Sequence, residues 1–396
     1  AGTLRESGQT VLPMKASMLA MVVNFIFNAL LIFGIGPFPR MGVAGAAIAT
    51  VLSRFVELAI VVVGAHRSSD RYPFLRGIYS SFAIPGALVR DILIRSTPLL
   101  ANELIRSIEG IEAHAEITAE NIFSLPSSAM DEAHLLQLAR RVNELLADPA
   151  VDGLVITHGT DTLEETAFFL YLTAKSPKPV VITGSMLPAS AHSADGPGNL
   201  INAICTAASR ESWGKGVMVC MCNRLLSARD AAKTSTYRLD TFKCLEYGTL
   251  GHVVGGDVRF YYAPVRPHGS QSQFDIQALA ELPRVEIIMT HENCSEVLLK
   301  AAVESGCDGV VAAGMGSGAI PPRMRAYYKA LEKKPFLVRA SRVYSGYVAA
   351  HSATPDLEYD TICAGDFTPI KARLLLQLAL TVTSDLDEIR SIFQKY

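Results

Sequence analysis

Residues 153–170 read GLVITHGTDTLEETAFFL, and the order of chemistry within them decides the fold. The first five are a short run rich in branched aliphatics, the composition of a buried strand. Leu163–Thr173 then carries a helical pattern after only a short polar turn. A strand that runs straight into a helix is the opening half of a strand–helix–strand unit. Working outward, 179–183, 216–222, 285–290, 309–313 and 335–340 repeat the Val- and Ile-rich pattern, with amphipathic stretches at 131–146, 295–305 and 370–380 between them. This alternation predicts an α/β fold with parallel sheets joined by right-handed crossovers. In such folds ligands collect at the carboxyl ends of the strands. PVRPHGSQSQ at 264–273 reads as the linker between a larger and a smaller α/β domain.

The turn between that first strand and its helix places hydroxyls and a carboxylate at a strand's carboxyl end. Thr162 and Glu165 have the spacing of a capping box, so they read as helix-start hardware. Thr160 and Asp161 precede the cap, and the pattern fits a ligand-facing role and a turn role equally. The block VVITGSMLPASAHSADGPGNL at 180–200 is a second strand followed by a long loop of small residues. There Ser193, Asp195, Gly196 and Pro197 suit either a turn or a site wall. SARDAAKTST at 227–236 puts Lys233 in a polar loop. A lone lysine is ordinarily solvated; beside a threonine hydroxyl, an ammonium favours deprotonation and holds developing negative charge.

The 396 residues allow two or three domains. The net charge of −2 divides unevenly, with nine Lys/Arg against five Asp/Glu in residues 1–105, and neither part has the basic excess of a nucleic-acid binder. Seven scattered cysteines, including Cys220 and Cys222, lack paired CxxC spacing and read as buried structural residues in a disulfide-indifferent compartment. The opening AGTLRESGQT has no basic start followed by an apolar run, so no signal peptide is read; the missing initiator methionine suggests a fragment. Residues 16–34 are almost wholly apolar, and 41–64 are interrupted only by Arg54 and Glu57, which share a helical face and suit either mutual pairing or an ion pathway. Each stretch is long enough to span a bilayer, and Gly42, Gly45, Ala46, Ala49 and Ser53 allow close helix approach. A membrane hairpin through residues 16–64 is therefore expected. Arg67, Arg71, Arg76, Arg90 and Arg95 follow it, against Arg40 alone in the connecting loop, which predicts soluble domains on the cytoplasmic side.

Two resemblances rest on longer motifs. LRESGQTVLPM, NALLIFGIGPFPRMGVAGAAIATVLSR and STPLLANEL resemble the multidrug and toxic compound extrusion transporters over residues 1–104. THGTDT with EETA, SADGPGN and the closing KARLLLQLALTVTSDLDEIRSIF resemble the bacterial L-asparaginase family, which includes glutaminase-asparaginases, from about residue 104 to 396. The second resemblance implies two asparaginase-type α/β domains, possible homotetramers, and hydrolysis of asparagine or glutamine with no metal or organic cofactor. It implies that Thr160 activates water or acts on an acyl intermediate, that Asp161 binds the α-ammonium of the substrate, and that Lys233 completes their proton relay. Ser127 would bind the α-carboxylate, with Ser128 also among the substrate-binding residues, and Ser185 would lie by the side-chain amide.

The family opens with a strand ending in Thr-Gly-Gly-Thr-Ile, whose first threonine is the primary nucleophile, followed by a loop bearing a tyrosine. Neither has a counterpart in this sequence, so the first strand is expected to be missing. A family asparagine falls on Ala319 and a family acidic residue on Ala353, with Glu358 out of register. The domains expected are a transporter-like fragment at 1–103, a truncated N-terminal α/β domain at 104–263, a linker at 264–282 and a C-terminal α/β domain at 283–396. An inactive fusion or fragment and an antiporter-derived module are the alternative readings.

Overall fold

The computed structural model describes residues 11–67 and 114–396. They belong to two compact units, Ala1–Ile92 and Leu93–Tyr396. In the first, α1 (Val11–Phe33) and α2 (Gly42–Arg67) follow from long, mostly apolar runs without proline in the later turns. A turn containing Gly34 and Gly36, both at positive φ, reverses the chain between them. The helices approach closely at Gly45, where a β-carbon would lie 2.6 Å from the Leu31 carbonyl oxygen. Arg54 pairs with Glu57 at 2.7 Å, and Glu57 also accepts from Ser17 Oγ at 2.6 Å.

The expected pair of bilayer spans needs correction. Among the described residues only Met14–Phe33 is long and apolar enough to cross a membrane. One such helix near the N-terminus is weak evidence of a membrane protein, because secretion signals and core helices share its composition. The junction near Leu104 and the arginines at 71–95 lie outside the described residues.

The described part of the second unit runs through α3 (Glu132–Ala147), β1 (Leu154–Thr157), α4 (Leu163–Thr173), β2 (Val180–Thr183), α5 (Gly196–Ala208), β3 (Val217–Met221) and β4 (Arg224–Ser227). Next come β5 (Ala232–Lys233), β6 (Phe242–Lys243), β7 (Gly251–Val254), β8 (Asp257–Phe260) and β9 (Val285–Met289). The chain ends with α6 (Val297–Glu304), β10 (Gly309–Gly314), α7 (Pro322–Ala330), β11 (Phe336–Ser341), α8 (Asp356–Tyr359), β12 (Thr361–Cys363), α9 (Pro369–Leu380) and α10 (Leu386–Lys395). One sheet has the order β1-β2-β3-β4-β7-β8 and another β12-β11-β10-β9, while β5 and β6 form a small ribbon.

The smaller four-stranded sheet is parallel throughout. The larger one is parallel only across β1, β2 and β3, and β4, β7 and β8 continue it antiparallel. The expectation of a parallel first sheet is corrected there by connection length. Only Cys222 and Asn223 join β3 to β4, too few for a crossover, and both have positive φ as a two-residue hairpin requires.

Helix α4 is the pivot of this unit. Ala167, Phe168, Phe169, Leu170 and Leu172 are fully buried, and the helix packs on β3 and on α9, which in turn covers β9, β10 and β11. A single hydrophobic cluster therefore runs from the first sheet into the second. Its practical result is that the N-terminus of α4, which follows the carboxyl end of β1, is held rigidly from below.

Candidate active site

Parallel pairing of β1 with β2 sets Thr157 beside Thr183, so the turns after both strands emerge side by side. Their contact is tight: a β-carbon on Gly184 would fall 2.5 Å from the His158 carbonyl oxygen and 3.3 Å from Thr160 Cγ2. Only glycine fits there without moving the backbone. Above this platform Lys233, from β5, donates from Nζ to Thr160 Oγ1 at 3.0 Å and to Asp161 Oδ1 at 2.9 Å. Three residues separated by as many as 73 positions thus meet at the carboxyl end of one strand. The Lys233 side chain is 18% exposed and that of Asp161 68%, so the ammonium sits at the wall and the carboxylate in solvent.

Ser127 lies directly behind this group. It is buried, and a β-carbon on Gly159 would come within 2.6 Å of its hydroxyl. Thr162 Oγ1 donates to the Ser127 carbonyl oxygen at 2.8 Å. The capping box is therefore not formed: the Thr162 hydroxyl ties the Ser127 turn to the start of α4 instead of capping that helix. Ser128 is exposed on the same turn. Ser185 is exposed after β2, where its hydroxyl donates to Leu187 O and, at 3.2 Å, to Asp195 Oδ1. The structure brings Thr160, Asp161 and Lys233 into mutual contact and sets Ser127 against them, whereas Ser128 and Ser185 make no hydrogen bond to that trio.

Asp195 organises the second loop. Its carboxylate accepts from the Met186 and Leu187 N–H groups, from Ser185 and from Asn199 Nδ2 at 3.0 Å. Burial pushes its pKa up, but these donors outweigh it and hold the carboxyl below the usual aspartate range. Asn199 also donates to Gly184 O and accepts from Cys222 N, locking the β2 loop to the β3–β4 turn. The sequence reading left Asp195 open between a turn and a site wall; its carboxylate is the fastener of the loop. Ala319 accepts and donates backbone bonds with Met315 in a tight turn, and Ala353 is exposed. Among the described residues no group of three or more His, Cys, Asp or Glu is placed to hold a metal.

His158, next to the trio, is fixed at both ring nitrogens: Nδ1 lies 2.7 Å from Gly159 O and Nε2 3.0 Å from Thr166 Oγ1. Burial pushes its pKa below the ordinary 6.5, which keeps the folded ring neutral. A depressed folded pKa gives stability that is full above the unfolded value and is lost as pH falls through the folded one. The melting temperature is accordingly expected to decline on acidification below about pH 6.5, and His158→Gln to flatten that decline. Parallel slopes for the two proteins in a fluorimetric melt from about pH 8 to about pH 5 would remove His158 from the explanation.

The same arrangement of sequence recurs in known proteins. The family model for "Asparaginase, N-terminal" matches residues 92–266, and that for "Glutaminase/Asparaginase C-terminal domain" matches residues 284–393. The chain belongs to the asparaginase family. It is 42% identical over 297 residues to L-asparaginase 2 of Bacillus subtilis (strain 168), covering 74% of this chain and 78% of that protein. Glutaminase-asparaginase of Pseudomonas fluorescens biotype A is 39% identical over 296 residues, with 74% and 82% covered. A probable periplasmic L-asparaginase of Haemophilus influenzae (strain ATCC 51907 / DSM 11121 / KW20 / Rd) is 40% identical over 299 residues, with 75% and 85% covered.

These family relations give no support to the transporter resemblance of residues 1–104. They also overturn the expected location, a membrane protein with its soluble domains on the cytoplasmic side. One asparaginase relative carries a periplasmic name, and Met14–Phe33, the one helix among the described residues long and apolar enough for a span, meets the composition of a secretion signal as well.

Proposed function

We propose that this asparaginase-family chain hydrolyses the side-chain amide of asparagine, and also of glutamine, to the acid and ammonia. The observation that carries the reading is the placement of the Lys233 ammonium 3.0 Å from Thr160 Oγ1 and 2.9 Å from Asp161 Oδ1. The relatives named L-asparaginase and glutaminase-asparaginase support the substrate class.

Within this proposal, Asp161 uses its exposed carboxylate to hold the substrate's α-ammonium, and the Ser127 turn, with Ser128, faces the α-carboxylate. Thr160 activates a water or acts on the acyl intermediate, the proton given up by the attacking oxygen passes to the amide nitrogen that departs as ammonia, and Lys233 stabilises the negative charge that grows as that proton is transferred. Ser185 stands on the β2 loop, the position from which a hydroxyl reaches the departing amide. An inactive remnant and an antiporter-derived module are not favoured, because the relatives are named L-asparaginase and glutaminase-asparaginase.

The test is ammonia release by the purified full chain with asparagine and with glutamine. Thr160→Ala should lower kcat by at least about 10²-fold with the fold preserved. A Thr160→Ala enzyme that keeps the parent rate would remove this threonine from the chemistry. Light scattering on the same preparation tests the tetramer that the resemblance implies.

A further inference from the structure

Lys233 lies in a ribbon too short to hold it. β5 has two residues, and it pairs antiparallel with the two residues of β6, Ala232 opposite Lys243 and Lys233 opposite Phe242. Thr234 N–H bonds back to Thr241 O, so the neighbouring pair faces inward and the Lys233 peptide groups turn away from β6. In a wider sheet another strand would satisfy them. Here two side chains from distant elements do so. Glu164 Oε1, in the first turn of α4, accepts from Lys233 N at 3.3 Å, and Tyr344 OH, after β11, donates to Lys233 O at 2.9 Å.

We propose that Glu164 and Tyr344 are positioning residues that clamp the Lys233 peptide at both its N–H and its carbonyl, and so aim the ammonium at Thr160 and Asp161. This rests on the reading of Lys233 as part of the catalytic relay. The clamp is built into the fold at an energetic cost. Glu164 is 4% exposed, its Oε2 has no hydrogen-bond partner, and burial raises its pKa despite the charges of Lys371 and Lys233. A buried carboxylate with an unsatisfied oxygen costs stability that the fold retains only because something else compensates.

The groups facing Glu164 are Lys233 on β5, Lys371 on α9, Tyr344 from the loop after β11, and Glu165 on its own helix. Lys371 is itself fully buried and donates to Arg229 O and Ala231 O at 2.7 Å, fixing the chain that leads into β5. Burial and the neighbouring Glu164 charge push the Tyr344 phenol up to about 12, so its hydroxyl remains a donor at every working pH. Because α4 also begins just after Asp161, one helix start carries both the clamp and the groups that receive the ammonium. An error of about 1 Å in such an alignment is enough to cost about 10²-fold in rate.

The decisive measurements are kcat, KM and the pH profile of kcat for full-length Tyr344→Phe and Glu164→Gln, beside Lys233→Met. Tyr344 is 45% exposed, so its phenylalanine variant folds even if Glu164→Gln does not. Tyr344→Phe should lose between about 10- and 100-fold in kcat with KM within about twofold of the parent. Glu164→Gln keeps a carbonyl acceptor for the Lys233 N–H but loses its charge, so its kcat should fall less than that of Tyr344→Phe, and, having no carboxyl to titrate, it should move the acid limb of kcat to lower pH. Hydrogen exchange at the peptide covering β5 should quicken in both. If Lys233→Met abolishes hydrolysis but Tyr344→Phe matches the parent in kcat and exchange, the clamp is wrong and the relay stands. If Lys233→Met hydrolyses normally, the relay and the clamp fail together.

Discussion

Lys233→Met is expected to cut ammonia release by about 10³-fold or more while leaving the protein folded. The side chain is 18% exposed, and its charge meets Thr160 and an Asp161 carboxylate that is mostly in water. An ion pair with one partner so exposed contributes on the order of 0–1 kcal/mol, so the melting temperature should move by no more than a few degrees. Methionine keeps the length and apolar stem and deletes only the cation. In the proposed relay the ammonium acts on charge that develops during reaction and not on the ground-state amide, so the loss should fall on kcat. Lys233→Arg should not restore the rate: a planar guanidinium cannot place a single donor at the convergence of Thr160 and Asp161. A methionine variant within tenfold of the parent, assayed below its melting temperature, would take Lys233 out of the chemistry.

Much of this candidate site could be nominated before any geometry. The strand–turn–helix order of residues 153–170 fixed where a reactive turn must lie, since a parallel sheet exposes its loops at the carboxyl ends of its strands. Thr160 and Asp161 could be nominated from that order, but not separated from helix-start hardware, because capping and ligand binding use the same residue types. Lys233 was invisible as a site residue on its own, and only the motif resemblance joined it to a turn 72 positions away. Glu164 was harder still. A glutamate in the first turn of a helix reads as a favourable dipole partner, and nothing local reveals that its carboxylate is buried against a strand formed 69 residues later.

The misreadings also have physical causes. Val- and Ile-rich runs separated by helices predicted parallel sheets, and the rule held until the connections shortened after β3. Two apolar runs predicted two membrane spans; among the described residues only Met14–Phe33 has the length and composition for one, which is weak evidence, and in α2 Arg54 pairs with Glu57. The Thr162–Glu165 spacing satisfied the capping pattern, yet Ser127 O was the acceptor available to that hydroxyl. Of these, only the Thr162 hydroxyl was claimed by a partner distant in sequence; the other two outcomes were decided by neighbours within three residues.

Arg229→Met is expected to cost about 3–5 kcal/mol, the largest stability loss of any single change considered. Arg229 is 8% exposed and faces two carboxylates, Asp230 at 2.7 Å and Asp366 through both terminal nitrogens at 2.7 and 2.9 Å, while its Nε donates to Tyr396 O at 2.6 Å. One guanidinium thus fastens the chain entering β5 to the turn before α9 and to the last residue. Methionine fills the stem but strands two half-buried negative charges, whereas Asp366→Asn leaves Arg229 paired with Asp230 and should cost less, about 1–3 kcal/mol. The two variants also differ in pH dependence. Burial alone would raise the Asp366 pKa, but the Arg229 and Tyr247 bonds outweigh it and hold it below the ordinary 3.8, so its stabilisation persists above that value and is lost only as pH falls through the folded pKa. Without Arg229 the burial effect prevails and the carboxyl is easiest to protonate in the folded state. The gap in melting temperature between parent and Arg229→Met, on the order of 10 °C near neutrality, should therefore narrow as the pH approaches about 4. A gap that stays constant or widens on acidification would show that stranded carboxylates are not what destabilises the variant.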